Sequence, residues 1–268
     1  MTKNMEKFFL LSTFMLLSLA GCSQDTKTSF NTELNNSEIT SSVVSKKLSE
    51  TSKYDVIVAE SKTKGEKIRS EYNAKEQLFT SAFVDVDIET VSDVLEITEI
   101  AVSGVVVNSE PFIYTTESGS EPYTKITLYV NDVLEGDASF KDTEIIIYEA
   151  GGIISKRELG MDTKQPEMTT KELDEEVVVN FDGVQNSIPG TEMAAFLVKL
   201  PKESLGVSQD FYQFMGNYMT RFEKNDELNE FTLPSAVNGA ESEIVLSVVQ
   251  EEKLNDEVTN FVKDNSEN

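Results

Sequence analysis

From Ile97 onward apolar residues alternate with polar ones in short runs punctuated by glycine and proline. A period of two over runs this short commits most of the chain to strands. Ile97–Asn108 reads as a first strand, and a loop containing Pro111, Gly119 and Pro122 follows it. Tyr123–Leu134 is a second strand, with Ile126, Leu128 and Val130 alternating with Thr127, Tyr129 and Asn131. Glu144–Glu149 is a third, closed by Gly151-Gly152, and Val177–Phe181 a fourth, ended by Asp182-Gly183. Met193–Leu200 is an apolar core strand between the Ile188-Pro189-Gly190 turn and Pro201. Asp210–Phe222 is rich in aromatics around Gly216 and reads as a hairpin or a pair of short strands. Short strands at regular spacing with Gly/Pro turns predict a mainly β fold, a small antiparallel barrel closed or nearly closed.

Helical spacing flanks this region on both sides. Glu66–Phe79 places Ile68, Tyr72, Leu78 and Phe79 near one face, and a short helix is predicted at Glu89–Leu95. Toward the C-terminus Ile244, Val245, Val248, Val249, Val258 and Phe261 recur at helical spacing over Glu241–Val262. Their β-branching also favours strands.

The N-terminus carries a different signal. Lys3 and Lys7 precede Phe8–Leu19, an apolar stretch of twelve residues. A spanning helix needs about 20, whereas twelve fits the apolar region of a cleavable export signal. The stretch ends in Leu19-Ala20-Gly21-Cys22, which resembles the lipobox of bacterial lipoproteins. That resemblance implies diacylglycerol on Cys22, cleavage before it, and a cell-membrane location, lipid-anchored and facing outside the cytoplasm. The bilayer is then the first expected partner. The resulting division is 1–21 signal peptide, 22–53 lipidated disordered tether, 54–96 helical lead-in, 97–240 β-barrel domain, and 241–268 C-terminal helix with a frayed tail. Residues 23–53 are Ser-, Thr-, Asn-, Lys- and Glu-rich without an apolar period, the composition of a disordered segment.

Composition then removes whole classes of chemistry. Cys22 is the single cysteine, so no disulfide supports the fold. Histidine is absent, which excludes Ser-His-Asp and Cys-His sites and His- or Cys-ligated zinc. The formal net charge of −25 argues against nucleic acid, whose binding depends on cations that neutralise phosphate. What remains is carboxylate chemistry, a Ser/Lys pair, or hard-cation binding by oxygen.

A second resemblance covers about residues 97–225. Gly104-Val105-Val106, Tyr123-Thr124, Val133-Leu134-Glu135-Gly136-Asp137, Glu149-Ala150-Gly151-Gly152, and Pro189-Gly190 before Ala195-Phe196-Leu197 occur in one order. That order resembles a class of exported bacterial β-barrel domains of undefined activity. More distantly it is similar to the netrin/metalloproteinase-inhibitor module, which implies an OB-like barrel with flanking N- and C-terminal helices. The inhibitors use disulfides and a free N-terminal cysteine. This chain has neither, so their mechanism does not carry over.

Two constellations are candidate sites. Phe211, Tyr212, Phe214 and Tyr218, with Phe112 and Tyr123 of the Pro111–Tyr123 loop, could line a face for a ligand or an envelope protein. Asp85, Asp87 and Glu89 alternate and would share one face of a strand, where they could hold Ca²⁺ with outside ligands. No catalytic set is recognisable. The sequence therefore predicts a membrane-anchored, non-catalytic binding or assembly module. The alternatives are a carboxylate- or Ser/Lys-based cell-envelope hydrolase and a Ca-dependent surface module. The acidic run Glu172, Asp174, Glu175, Glu176 is expected in an exposed loop.

Overall fold

The alternating segment folds into a mainly β architecture in the computed structural model, which describes residues 52–80, 88–236 and 248–266. Strands β2 (Ile100–Thr116) and β3 (Gly119–Glu135) form one long hairpin, registered from Ala101↔Glu135 to Thr116↔Gly119. The loop expected between Pro111 and Tyr123 is thus a two-stranded arm. Pro111 faces Thr124 and Pro122 faces Ile113 across it. Both prolines sit where a missing N–H is harmless. The β2–β7 pairing ends at Val105, so among the described residues no strand pairs with the outer side of β2 at Pro111. Pro122 accepts from the Gly151 N–H on the side away from β2, beyond the last β3–β4 pair, Tyr123↔Ala150.

Strand β4 (Glu144–Ala150) continues the sheet alongside β3. Strand β7 (Glu192–Leu200) flanks β2, with Ile100↔Leu197 through Val105↔Glu192 in register. The aromatic segment becomes β8 (Phe211–Phe214) and β9 (Arg221–Asn225), two short strands rather than a hairpin. Both pair with β7, β8 along its C-terminal half and β9 along its N-terminal half. Residues 215–220 loop out between them, with positive φ at Gly216 and Asn217. The seven-stranded sheet runs β10-β9-β7-β2-β3-β4-β8, with β10 at Glu230–Thr232, and β8 returns to pair with β7. Five strands therefore close on one another. The closure is uneven, because β4 and β8 share a single registered pair, Ile147↔Tyr212, and that pairing is parallel. Ile126, Leu128, Ile147, Met193 and Leu197 fill the interior.

A second sheet of three strands, β1 (Glu76–Thr80), β6 (Glu176–Phe181) and β5 (Gly152–Ser155), is built largely from the chain between β4 and β7. Short helices α3 (Met161–Lys164) and α4 (Thr170–Leu173) join β5 to β6.

Helix α1 spans Lys53–Asn73, thirteen residues ahead of the predicted start at Glu66. The reason is local. Ser52 accepts from the Asp55 N–H while Asp55 accepts from the Ser52 N–H, a capping box that fixes the first turn. Leu78 and Phe79, expected on the same helix, belong to β1. The short predicted helix is α2 (Val91–Glu96), capped reciprocally by Thr90 and Asp93. The C-terminal helix α5 is described over Val248–Ser266, and the Ile244-Val245 part of its predicted period lies outside the described residues. Leu254, Val258 and Val262 pack with Val94, Phe196 and Phe222 in one buried cluster. No helix among the described residues is long and apolar enough to cross a membrane.

Candidate functional site

The arm places aromatic side chains on one face by simple strand geometry. Phe112 lies directly opposite Tyr123, and Tyr114 follows two residues along the same face. The Phe112 ring meets Tyr148 of β4 edge-on at 5.0 Å, and Tyr148 meets Phe211 of β8 in the same way at 5.0 Å. Leu205 and Val207, from the connection between β7 and β8, close the group. Tyr148 and Phe211 are buried, whereas Phe112, Tyr114 and Tyr123 are half-buried and reach the surface. Burial raises the hydroxyl pKa of Tyr123 and of Tyr148, so both stay neutral donors. Lys125 and Glu110 form a cross-strand ion pair of 2.6 Å beside the aromatic face. The arm's other face turns Ile113 onto Leu78, Ile154 and Val177 of the three-stranded sheet. Both sides of the arm are thus supported.

Of the six aromatics singled out in the sequence, the structure brings together Phe112, Tyr123 and Phe211. Tyr212 and Phe214 pack with the barrel interior instead, Tyr212 edge-on to Phe140 at 6.1 Å. Tyr218 joins the cluster under α5. The 211–222 segment consequently does not line one groove, since its turn distributes it over three clusters. Tyr148 and Tyr114 complete the face and were not singled out. Tyr148 lies on the β4 face opposite the barrel-filling Ile145 and Ile147, whereas Tyr114 shares its parity with the barrel-filling Ile100, Val102 and Val106 and reaches the aromatic face only through the register shift between Val106 and Asn108.

The remaining candidates separate in the same plain way. Cys22, Asp85 and Asp87 lie outside the described residues. Glu89 is exposed at the start of α2, where its backbone N–H donates to Asp93 and its carboxylate accepts from Gln250. Among the described residues no group of three or more carboxylates could hold a metal ion. The acidic run over residues 172–176, expected in an exposed loop, spans the end of α4 and the first residue of β6 and is committed to local partners. Glu172 caps α4 and its pKa is lowered by the Thr169 N–H, while Asp174, Glu175 and Glu176 pair with Arg157, Lys156 and Lys75.

A buried ion pair was not legible in the sequence at all. Glu149 and Arg221 have side chains 4% and 3% exposed and meet at 2.9 Å. Glu149 also accepts from the Ser187 N–H and hydroxyl, each at 2.7 Å. Arg221 also donates to the Gln185 carbonyl and pairs with Glu223 at 3.2 Å. Burial works against its charge, yet Glu149 and Glu223 outweigh it and hold the guanidinium above its ordinary pKa. Three of the roughly four acceptor positions of the Glu149 carboxylate are thus taken by Ser187 and Arg221.

Two open clefts flank α1. One, of about 470 Å³, is lined by Lys62, Arg69, Glu192, Lys224 and Asp226. Lys62 bridges Glu192 at 3.2 Å and Asp226 at 3.0 Å there. The other, of about 600 Å³, contains Lys53, Tyr129 and Asp142, and the Tyr129 hydroxyl donates to Asp142 at 2.6 Å. No family model, curated protein or solved structure matches this chain.

Proposed function

We propose that this chain is a lipid-anchored extracytoplasmic lipoprotein whose folded part is a non-catalytic binding or assembly module of OB-like type. Support for the anchor is Leu19-Ala20-Gly21-Cys22 behind the twelve-residue apolar stretch. Support for the barrel type is the ring β2-β3-β4-β8-β7 with its single parallel contact. OB-type barrels present ligands with their second and third strands and with the loops after the first and fourth. In this ring those parts are β3, β4, the tip of the arm and the β7–β8 connection. The observation that carries the binding reading is that these parts meet in one aromatic face, Phe112, Tyr114 and Tyr123 over Tyr148 and Phe211. Half-buried aromatics on a braced arm offer apolar area at little entropic cost. The partner is an envelope protein or ligand that accepts such a face, and the net charge of −25 sets nucleic acid aside.

The anchor is tested by Cys22→Ala. The variant should move from the detergent phase to the aqueous phase on partition of cell extracts, and its intact mass should retain residues 1–21. A processed, detergent-partitioning variant overturns the anchor. The face is tested by mild crosslinking in intact cells and capture of the tagged full chain, against a Tyr114→Ser/Tyr123→Ser variant of unchanged melting temperature. A stoichiometric partner lost in the variant supports the reading. A partner retained undiminished overturns the arm as the contact.

A further inference from the structure

A small pocket of about 20 Å³, partly open to solvent, lies beside the Glu149–Arg221 pair, walled by Phe181, Val184, Tyr218, Asn186, Asn217 and Arg221. Three of these residues carry a buried polar atom with no hydrogen-bond partner among the described residues: Arg221 Nε, Asn217 Nδ2 and Asn186 Oδ1. The sense of two of them is fixed, since Arg221 Nε can only donate. Asn186 Nδ2 donates to the Ala150 carbonyl at 2.9 Å, which leaves Oδ1 as the free acceptor. The other two Arg221 nitrogens are engaged by Glu149, Ser187, Gln185 and Glu223. Two donors and one acceptor therefore remain around one space. Buried polar groups in folded proteins are satisfied almost without exception. A water needs at least about 10–15 Å³ and 2–4 polar partners.

We propose that one water molecule is a resident part of this fold, accepting from Arg221 Nε and Asn217 Nδ2 and donating to Asn186 Oδ1. The space is far too small for an organic ligand. An anion would face Asn186 Oδ1, and the charge of Arg221 is already matched by Glu149 and Glu223. A cation would face the Arg221 Nε–H. The water ties together three pieces of chain: the turn between β8 and β9, the start of β9, and the connection from β6 to β7. Gly151, the first of the two glycines after β4, leaves room for the acceptor. A Cβ on Gly151 would stand 2.9 Å from Asn186 Oδ1 and 2.6 Å from the Val179 carbonyl, displacing the acceptor.

The test uses the full chain. A crystal structure at high resolution should show one density peak within about 2.7–3.2 Å of all three atoms. Oxygen-17 relaxation dispersion of the solvent should report a long-lived water that Asn186→Leu removes. Asn217→Gly keeps the left-handed backbone while deleting one donor, so it serves if Asn186→Leu does not fold, and it should shorten the residence time at least tenfold. A dry cavity, an anomalous peak after bromide soaking, or dispersion unchanged in either folded variant overturns the proposal.

Discussion

Helices α1 and α5 are of similar length and flank the same barrel domain, but they are held by opposite means. Helix α5 buries Leu254, Val258, Thr259 and Val262, and Phe261 lies against Phe196 at 5.9 Å. It also covers the edge of the seven-stranded sheet. Thr259 accepts from the Phe231 N–H at 2.8 Å and Asn255 from the Leu233 N–H at 3.0 Å, so the outward donors at β10 are not left open. Helix α1 buries Ser61, Gly65 and Tyr72 and leaves Val56 45% exposed. Its attachment is a close backbone approach plus charge. Gly65 lies so near the Pro189 carbonyl that a Cβ would overlap it, and Gly190 sits against the Lys62 backbone. Lys62 reaches Glu192 and Asp226, and the Tyr54 hydroxyl donates to Glu192 at 3.5 Å. Apolar burial is non-directional and survives small shifts, whereas ion pairs near water are weak and screened. Helix α5 is therefore part of the cooperative core. We predict that helix α1 is a separable unit that opens first.

The largest effect that sharpens this contrast is Leu254→Ala. Deleting the buried side chain should cost about 2–5 kcal/mol and lower the whole denaturant transition. A loss confined to α5 exchange would break the comparison. Next comes Gly65→Ala, with an overpacking cost of about 1–3 kcal/mol. Its new methyl should detach α1, so that amides 53–73 lose exchange protection while α5 and the barrel keep theirs. Smaller again is Glu192→Gln, which removes the shared partner of Lys62, Lys224 and Tyr54 and should cost about 1 kcal/mol. The same local readout applies. Acid gives the smallest and most selective effect. Lys62 holds the Asp226 carboxyl below its ordinary pKa. A depressed folded pKa contributes stability above the unfolded value, about 3.9, and that contribution is lost as pH falls through the folded value. Protection of α1 should thus be level from pH 7 to about 5 and drop below about 4. A drop already complete at neutral pH would remove Asp226 from the attachment.

The strands were legible wherever one face meets the core, because alternation records burial directly. Glu144–Glu149, Val177–Phe181 and Met193–Leu200 match β4, β6 and β7 within a residue or so at each end. Legibility failed where the deciding partner is distant in sequence. Pro111 and Pro122 read as breakers, since nothing local reveals that each has its nitrogen on an unpaired side. Helix α1 starts at Lys53 rather than Glu66 because of the Ser52–Asp55 capping box, a polar signal that apolar spacing does not register. The candidate face was half legible for the same reason. Phe112, Tyr123 and Phe211 stand out as aromatics and alternation sets the face of Tyr148, but its place between Phe112 and Phe211 comes from strands distant in sequence. The Glu149–Arg221 pair joins residues 72 positions apart and has no local signature.

The long β2–β3 hairpin also predicts an order of folding events, which residue-by-residue folding kinetics would check. Its two strands are contiguous, so closing it costs little chain entropy, whereas bringing β8 to β4 encloses the β5–β6 segment and all of β7. The hairpin can therefore form first and the ring shut last, at the single Ile147↔Tyr212 contact. Until β7 arrives, the apolar side of the hairpin faces solvent, the condition in which folding chains stick to one another. A net charge of −25 then has a kinetic use: half-folded copies repel while the barrel waits for its last strand.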